Sequence, residues 1–254
     1  MKHVLIAASL ALIGTQAFAQ ESKFSMTTGV DYSTGKYGQA EDTKITYVPF
    51  TGKWEKDRLT LKVTVPYLRI DGPGGVSADS RVVTNTTTNN TRTVADGLGD
   101  VVLGATYTAV ELSADKVFID VGAKVKLPTA SESKGLGSGK TDYTLVSDIY
   151  KTIDKVTLIG TVGRRFFGDP VGVDLRDVWF GSAGVVYKLD GKQSIGTSVD
   201  VRQRTTATST SLREYSVFHS YKFNSSYKLQ TYVVVGDTTS SVDLGGGMML
   251  GVSW

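Results

Sequence analysis

The sequence predicts an all-β fold, a transmembrane antiparallel up-and-down barrel of about 12 strands, and three observations carry that expectation. The first is the C-terminal stretch. Val242, Leu244, Gly246, Met248, Leu250, Val252 and Trp254 fall on one face of a period-two strand, opposite Asp243, Gly245, Gly247, Met249, Gly251 and Ser253. A tilted strand of this length crosses a bilayer core, and an aromatic at its end sits at the interface. The second observation is an even number of strand-like segments, which leaves both chain ends on the same side of a membrane. The third is that connections sort by length, short turns alternating with longer polar loops.

The segments follow period-two alternation, β-branched or aromatic content and bounding turn residues. In the first half they are 24–36, 44–54, 58–69, 98–111, 116–128 and 141–152, and in the second half 155–167, 176–189, 193–204, 212–223, 227–237 and 242–254. With a periplasmic start, the periplasmic links are 55–57, 112–115, 153–154, 190–192 and 224–226, all short. The opposite set includes 71–97, 130–140, 168–175 and 205–211, rich in Gly, Ser, Thr, Asn and Asp. A soluble sandwich has no reason to sort loops by parity. Residues 83–93 read as a low-complexity polar outer loop.

Residues 1–19 read as a secretory signal peptide: Lys2, an apolar run from Val4 to Ile13, then Ala17-Phe18-Ala19 as the small-x-small cleavage pattern. The expected mature unit is one barrel domain over 20–254. No later segment approaches the ~20 apolar residues of a spanning helix, so a membrane-embedded form has to be a barrel. Without Lys2 the chain carries 27 basic and 25 acidic residues, scattered and interleaved, which excludes a nucleic-acid footprint. An exported chain with no cysteine rests on strand pairing and burial for its stability.

Facing follows from charge, because a charge among acyl chains costs ~2–4 kcal/mol near midplane. In segment 116–128, Val117, Ile119, Val121, Ala123, Val125 and Leu127 oppose Asp120, Gly122, Lys124 and Lys126. The inferred lumen face also takes Asp31, Lys62, Asp100, Asp148, Arg165, Asp200, Arg202, Arg204, Glu214, Lys222 and Lys228. Of these, Asp120, Lys124, Lys126, Asp148, Arg165, Asp200, Arg202, Arg204 and Lys222 are the candidates for setting selectivity. Outward aromatics form two girdles: Tyr107, Tyr187, Tyr221, Phe223, Tyr227 and Trp254 toward the periplasm, and Tyr32, Tyr67, Tyr143, Phe166 and Trp179 toward the exterior. Segment 44–54, with Tyr47, Pro49 and Phe50, shows no clear face, and Arg164 and His219 fall on outward positions. Arg164 is expected to snorkel to headgroups. Gly245, Gly247 and Gly251 face inward and are expected to keep the seam of the lumen wide.

Catalytic and metal-binding residues are not indicated. His219 is the one histidine after the signal segment, and its neighbour Ser220 points to the other face of a strand, so a hydrolase would need partners from adjacent strands. The stretch Gly135 to Thr141 fails the phosphate-loop spacing, because Lys134 stands where the first glycine belongs, and it reads as a flexible hairpin loop. Asp96 and Asp100 around Gly97-Leu98-Gly99 are turn-formers rather than a calcium site. No cofactor is expected. A mixed-sign interior fits either a hydrated pore or a salt-bridge network that fills the barrel, and about twelve strands lies between the filled eight and the open sixteen.

The C-terminal strand resembles the terminal signal of bacterial outer-membrane barrels, which implies recognition by the barrel-assembly machinery through the end at Trp254. The run from Gly97 to Tyr107, then Gly122 to Thr129 and Lys134 to Tyr143, resembles the outer-membrane barrel family labelled transporter or meta-pathway phenol degradation. The resemblance is clear over about 97–170. It implies a non-enzymatic outer-membrane channel, with lipid around it and small organic or aromatic solutes passing through. It brings no catalytic residues. A looser likeness to larger hydrocarbon and fatty-acid channels lacks their N-terminal plug. The expected function is passive uptake of small solutes, with the loops 71–97 and 130–140 controlling access; the alternatives are a lipid-modifying hydrolase using His219 and a structural or adhesion barrel displaying its outer loops.

Overall fold

The computed structural model describes residues 22–73, 76–77, 82–83, 92–170 and 172–254. The signal segment 1–19 and most of the polar stretch 83–93 lie outside the described residues. The strands are β1 (Lys23–Gly35), β2 (Thr43–Lys56), β3 (Leu59–Pro73), β4 (Val76–Ser77), β5 (Val82–Val83), β6 (Arg92–Leu98), β7 (Val102–Leu112) and β8 (Val117–Lys126). They continue with β9 (Asp142–Ile153), β10 (Val156–Phe166), β11 (Val178–Lys188), β12 (Gln193–Arg202), β13 (Leu212–Lys222), β14 (Tyr227–Gly236) and β15 (Leu244–Ser253).

Twelve of these close a ring. Each of β7 to β15 pairs antiparallel with the next, β3 joins β2 to β7, and β15 returns to β1 from Ser25↔Ser253 to Thr34↔Leu244. Closure removes the free edges that a bilayer would leave without hydrogen bonds. At one end, the turn end, the links are tight. Asp57, Lys116 and Asp154 adopt φ near 51° there. The Asp190 carboxylate accepts the N–H groups of Lys192 and Gln193, both at 2.7 Å. Those two bonds hold its carboxyl below the usual carboxylate range. The other end, the loop end, carries the longer connections.

Exposure follows the alternation. Val63, Val121, Leu145, Leu158, Val217 and Val233 stand exposed around the outside, while Asp31, Thr144, Arg165, Ser198 and Glu214 are buried inside. Aromatic girdles flank this apolar band. Tyr67, Tyr143 and Trp179 lie toward the loop end and Tyr107, Tyr187, Phe223, Tyr227 and Trp254 toward the turn end, all exposed. Tyr221 joins the second girdle with its ring edge-on to Phe223, centroids 5.0 Å apart. A closed barrel with an apolar outer band and two aromatic belts is a transmembrane barrel. A β-bulge in β7 between Thr108 and Val110 reverses the alternation below it and keeps Leu112 on the outside.

Three features differ from the sequence expectation. The segment 71–97 is not all loop: β3 runs on to Pro73, and Tyr67 to Pro73 pair with β6. The R-T-V-A-D-G-L run has little alternation of its own, but β3 templates it, and Arg92 Nε to Asp71 Oδ1 (2.6 Å) and Tyr67 OH to Asp96 Oδ2 (2.6 Å) fasten the pair. β6 and β7 are one strand interrupted at Gly99-Asp100. A Cβ at Gly99 would lie 2.6 Å from Leu68 Cδ1 and 2.9 Å from Pro66 Cγ, so a larger residue would have to displace these side chains. Val242 is not lipid-facing but fully buried in the loop before β15, which begins at Leu244. Its N–H donates to Glu214 Oε1 (3.0 Å), which turns this loop inward. The second strand does have a face: Thr43, Ile45, Tyr47, Pro49 and Lys53 point in, and Phe50 points out.

Candidate functional site

The inner wall divides into three levels. At the loop end is a buried charge network. Lys126, 5% exposed, ion-pairs with Asp100 Oδ2 (2.9 Å) and Asp142 Oδ2 (3.5 Å), and Arg165 bonds the same Asp142 carboxylate. These charges hold a loop. Ala130 N–H donates to Asp100 Oδ1 (2.9 Å), Lys126 Nζ to Ser138 Oγ (2.8 Å), and Gly168 N–H to Asp142 Oδ1 (3.1 Å). The Arg165 guanidinium stacks over Phe167, 4.4 Å from the ring centroid.

Loop 127–141 is therefore not a free hairpin. Leu136 is buried against the inner wall, within reach of Gly97, where a Cβ would meet Leu136 Cδ1 at 3.0 Å. Gly137 lies so close to Asp100 that a Cβ there would sit 2.7 Å from its carboxylate. The glycines that mimic a phosphate loop are the price of packing this chain under Asp100. Asp96 and Asp100 diverge, Asp96 taking the Tyr67 phenol on the outside and Asp100 the Lys126 ammonium on the inside.

The second level is an apolar and aromatic belt. One register line runs Gly196, Phe218, Tyr232, Gly247, Asp31, Tyr47, Leu68 and Gly97 across successive strands. Phe218, Tyr232, Tyr47 and Leu68 are all buried, and the Tyr232 hydroxyl donates to Asp31. The rings pack against neighbouring glycines. A Cβ at Gly196 would be 2.3 Å from Phe218 Cζ, at Gly163 2.3 Å from Phe180 Cζ, and at Gly247 2.8 Å from the Tyr232 hydroxyl. This corrects the expected role of the seam glycines. Gly245 and Gly247 are covered by Val234 and Tyr232 rather than widening the lumen, while Gly251 keeps ordinary van der Waals clearance.

The third is a basic row that climbs from Lys53 and Lys62 near the turn end to Lys124, two residues short of Lys126. Lys53 pairs in register with Lys62 across β2 and β3, and Lys62 and Lys124 flank Gly104 on the next strand. Both stems lie over that glycine: Lys124 Cγ and Lys62 Cβ come within 3.7 and 3.9 Å of the point a Cβ would occupy. Lys53 reaches Glu55 at 2.7 Å, whereas neither Lys62 nor Lys124 is held in an ion pair among the described residues. Asp120 faces Asp148 across β8 and β9, and Asp148 accepts the Thr161 hydroxyl at 2.6 Å.

The sequence-derived candidates distribute over these levels. Lys126 and Arg165 belong to the loop-end network. Asp200 and Arg202 are buried on the inner face of β12, with Ser198 Oγ donating to Asp200 Oδ2 at 3.2 Å. Lys124 ends the basic row, and Asp120 and Asp148 face each other four residues nearer the turn end on β8 and β9. Lys222 lies at the turn-end rim opposite Lys228. Arg204 stands beyond the end of β12, exposed in the loop, because the strand stops at Arg202. Sequence reasoning missed Lys53, since β2 alternates polar and apolar residues on both faces. It also missed the belt, since Val233-Val234 and the like offer no contrast from which to read a face. Arg164 sits between the rings of Phe166 and Trp179, at 5.1 and 5.6 Å, on the outside at the loop end. His219 is on the lipid face between Ile195 and Thr231, its Nε2 3.1 Å from Gln193 Oε1, and Ser220 is buried on the opposite face.

Solved structures share this architecture. The COG4313 outer membrane channel from Pseudomonas putida F1 superposes with a TM-score of 0.70 at 13% identity, over 94% of this chain and 97% of that one. The KdgM porin gives 0.55 at 12% identity, over 91% and 98%. The translocator domain of the autotransporter NalP from Neisseria meningitidis gives 0.52 at 12% identity, over 100% and 94%. The fold is thus that of outer-membrane β-barrels. No family model and no curated protein matches the sequence.

Proposed function

We propose that this chain is an outer-membrane channel for the passive uptake of small solutes, exported by residues 1–19 and inserted by the barrel-assembly machinery through the strand that ends at Trp254. The turn end then faces the periplasm and the loop end the exterior. One observation carries the reading. Lys62 and Lys124 stand on the lumen wall outside any ion pair among the described residues, which an interior serving only to fill the barrel would not retain. The loop 127–141 narrows the outer mouth. The belt favours small organic, including aromatic, solutes, in line with the family resemblance of 97–170. Swelling of liposomes holding the refolded protein tests this: small solutes are expected to enter faster than into protein-free liposomes, and equal rates from folded protein contradict it.

A second reading, the display of outer segments to a partner, draws support from β6, which pairs only with β3 among the described residues and extends the wall beyond the ring. It predicts partner binding that is lost when residues 74–91 are deleted, with no solute entry.

A further inference from the structure

We propose that the row Lys53, Lys62 and Lys124 is an anion site that takes small organic carboxylates on their way through the barrel; the inference rests on the channel reading above. The geometry supplies the argument. The three residues follow one hydrogen-bond register across β2, β3, β7 and β8, with Gly104 as the space between the last two. Like charges directly opposite one another on paired strands are destabilising. Only Lys53 is offset by an ion pair, through Glu55 at 2.7 Å. The inward acids near the row, Asp120 and Asp148, form no ion pair with it among the described residues: Asp148 takes the Thr161 hydroxyl, and Asp120 lies four residues below Lys124 on β8. Lys222 and Lys228, directly paired on β13 and β14, add a second pair of ammonium groups to the same end of the lumen.

A row of lysine donors along a wall offers successive charge-assisted hydrogen bonds, each weak enough to let the anion move to the next. The class of anion follows from the belt above it. Phe218, Tyr232, Tyr47 and Leu68, packed with little exposed surface, form an apolar layer on the loop side of Lys53 and Lys62, which penalises a strongly hydrated ion such as phosphate and admits a carboxylate borne on an apolar or aromatic body.

The test uses the full mature barrel refolded and inserted into planar bilayers, with benzoate and inorganic phosphate as the probe anions. The reversal potential across a potassium benzoate gradient is expected to show anion preference, stronger than for phosphate. Lys62→Gln with Lys124→Gln is expected to lower that preference by about threefold or more. Wild-type cation preference, an unchanged ratio in the double variant, or phosphate passing as readily as benzoate would overturn the site. A folded barrel that passes no current defeats the channel reading instead. In that event saturation-transfer NMR of benzoate on the folded protein decides the site separately: a signal lost in the double variant supports it, and an equal signal refutes it.

Discussion

Lys124 and Lys126 stand two residues apart on the same face of β8, yet they belong to different charge networks. Lys126 is enclosed by Asp100 and Asp142, at 2.9 and 3.5 Å, and also binds Ser138, so its charge is used to tie down a loop. Lys124 shares Gly104 with Lys62 and has no ion pair among the described residues. The network around Lys126 is thus charge-compensated, and the row that ends at Lys124 is a surface with charge left for a solute. Residue type and facing are the same in both. What differs is the acid brought across by neighbouring strands and by the break at Gly99-Asp100.

The contrast can be broken from its stronger side first. Asp142→Ala removes the ion-pair partner that Arg165 shares with Lys126, which keeps Asp100, and a buried cation so deprived is expected to cost about 3–5 kcal/mol. Urea unfolding of the barrel in lipid vesicles measures it, and a cost under ~1 kcal/mol would mean that the network does not hold the loop end. A cation placed on the lipid face comes next. Val217→Arg is expected to cost roughly 2–4 kcal/mol if its level is near midplane, by the same assay. The belt offers a smaller effect. Gly196→Ala sets a methyl against Phe218 and is expected to cost about 1–3 kcal/mol, and adding Phe218→Leu should recover part of the loss. If Phe218→Leu fails to relieve it, the ring is not what the glycine accommodates. Lys124→Gln should lower anion preference with little change in stability, while Lys126→Gln should lower stability with little change in preference. A reversal of that pattern would dissolve the distinction between the two lysines. The smallest change is expected of His219→Ala: since His219 faces lipid and, among the described residues, hydrogen-bonds Gln193 alone, folding and solute passage should stay at wild-type level within error.

Much of the barrel was legible because lipid enforces a strict contrast. Where one face must be apolar, as in Val117 to Lys126, alternation gives the facing and loop parity gives the orientation. The lumen enforces no such contrast. Ile45, Tyr47 and Val234 are apolar residues on the inner face, so β2 and β14 carry weak signals, and Lys53 went unread with them. Segments that depend on a partner were also hidden: β6 exists because β3 extends beside it, and Leu136 and Val242 turn inward because Asp100 and Glu214 accept backbone N–H groups from their loops. No local pattern announces such pairings.

Single-channel recording in planar bilayers bears most directly on the central claim. Refolded wild-type protein is expected to give discrete current steps with anion preference, and Lys62→Gln with Lys124→Gln to keep the steps while losing that preference. Folded protein that inserts but yields no steps would contradict the account.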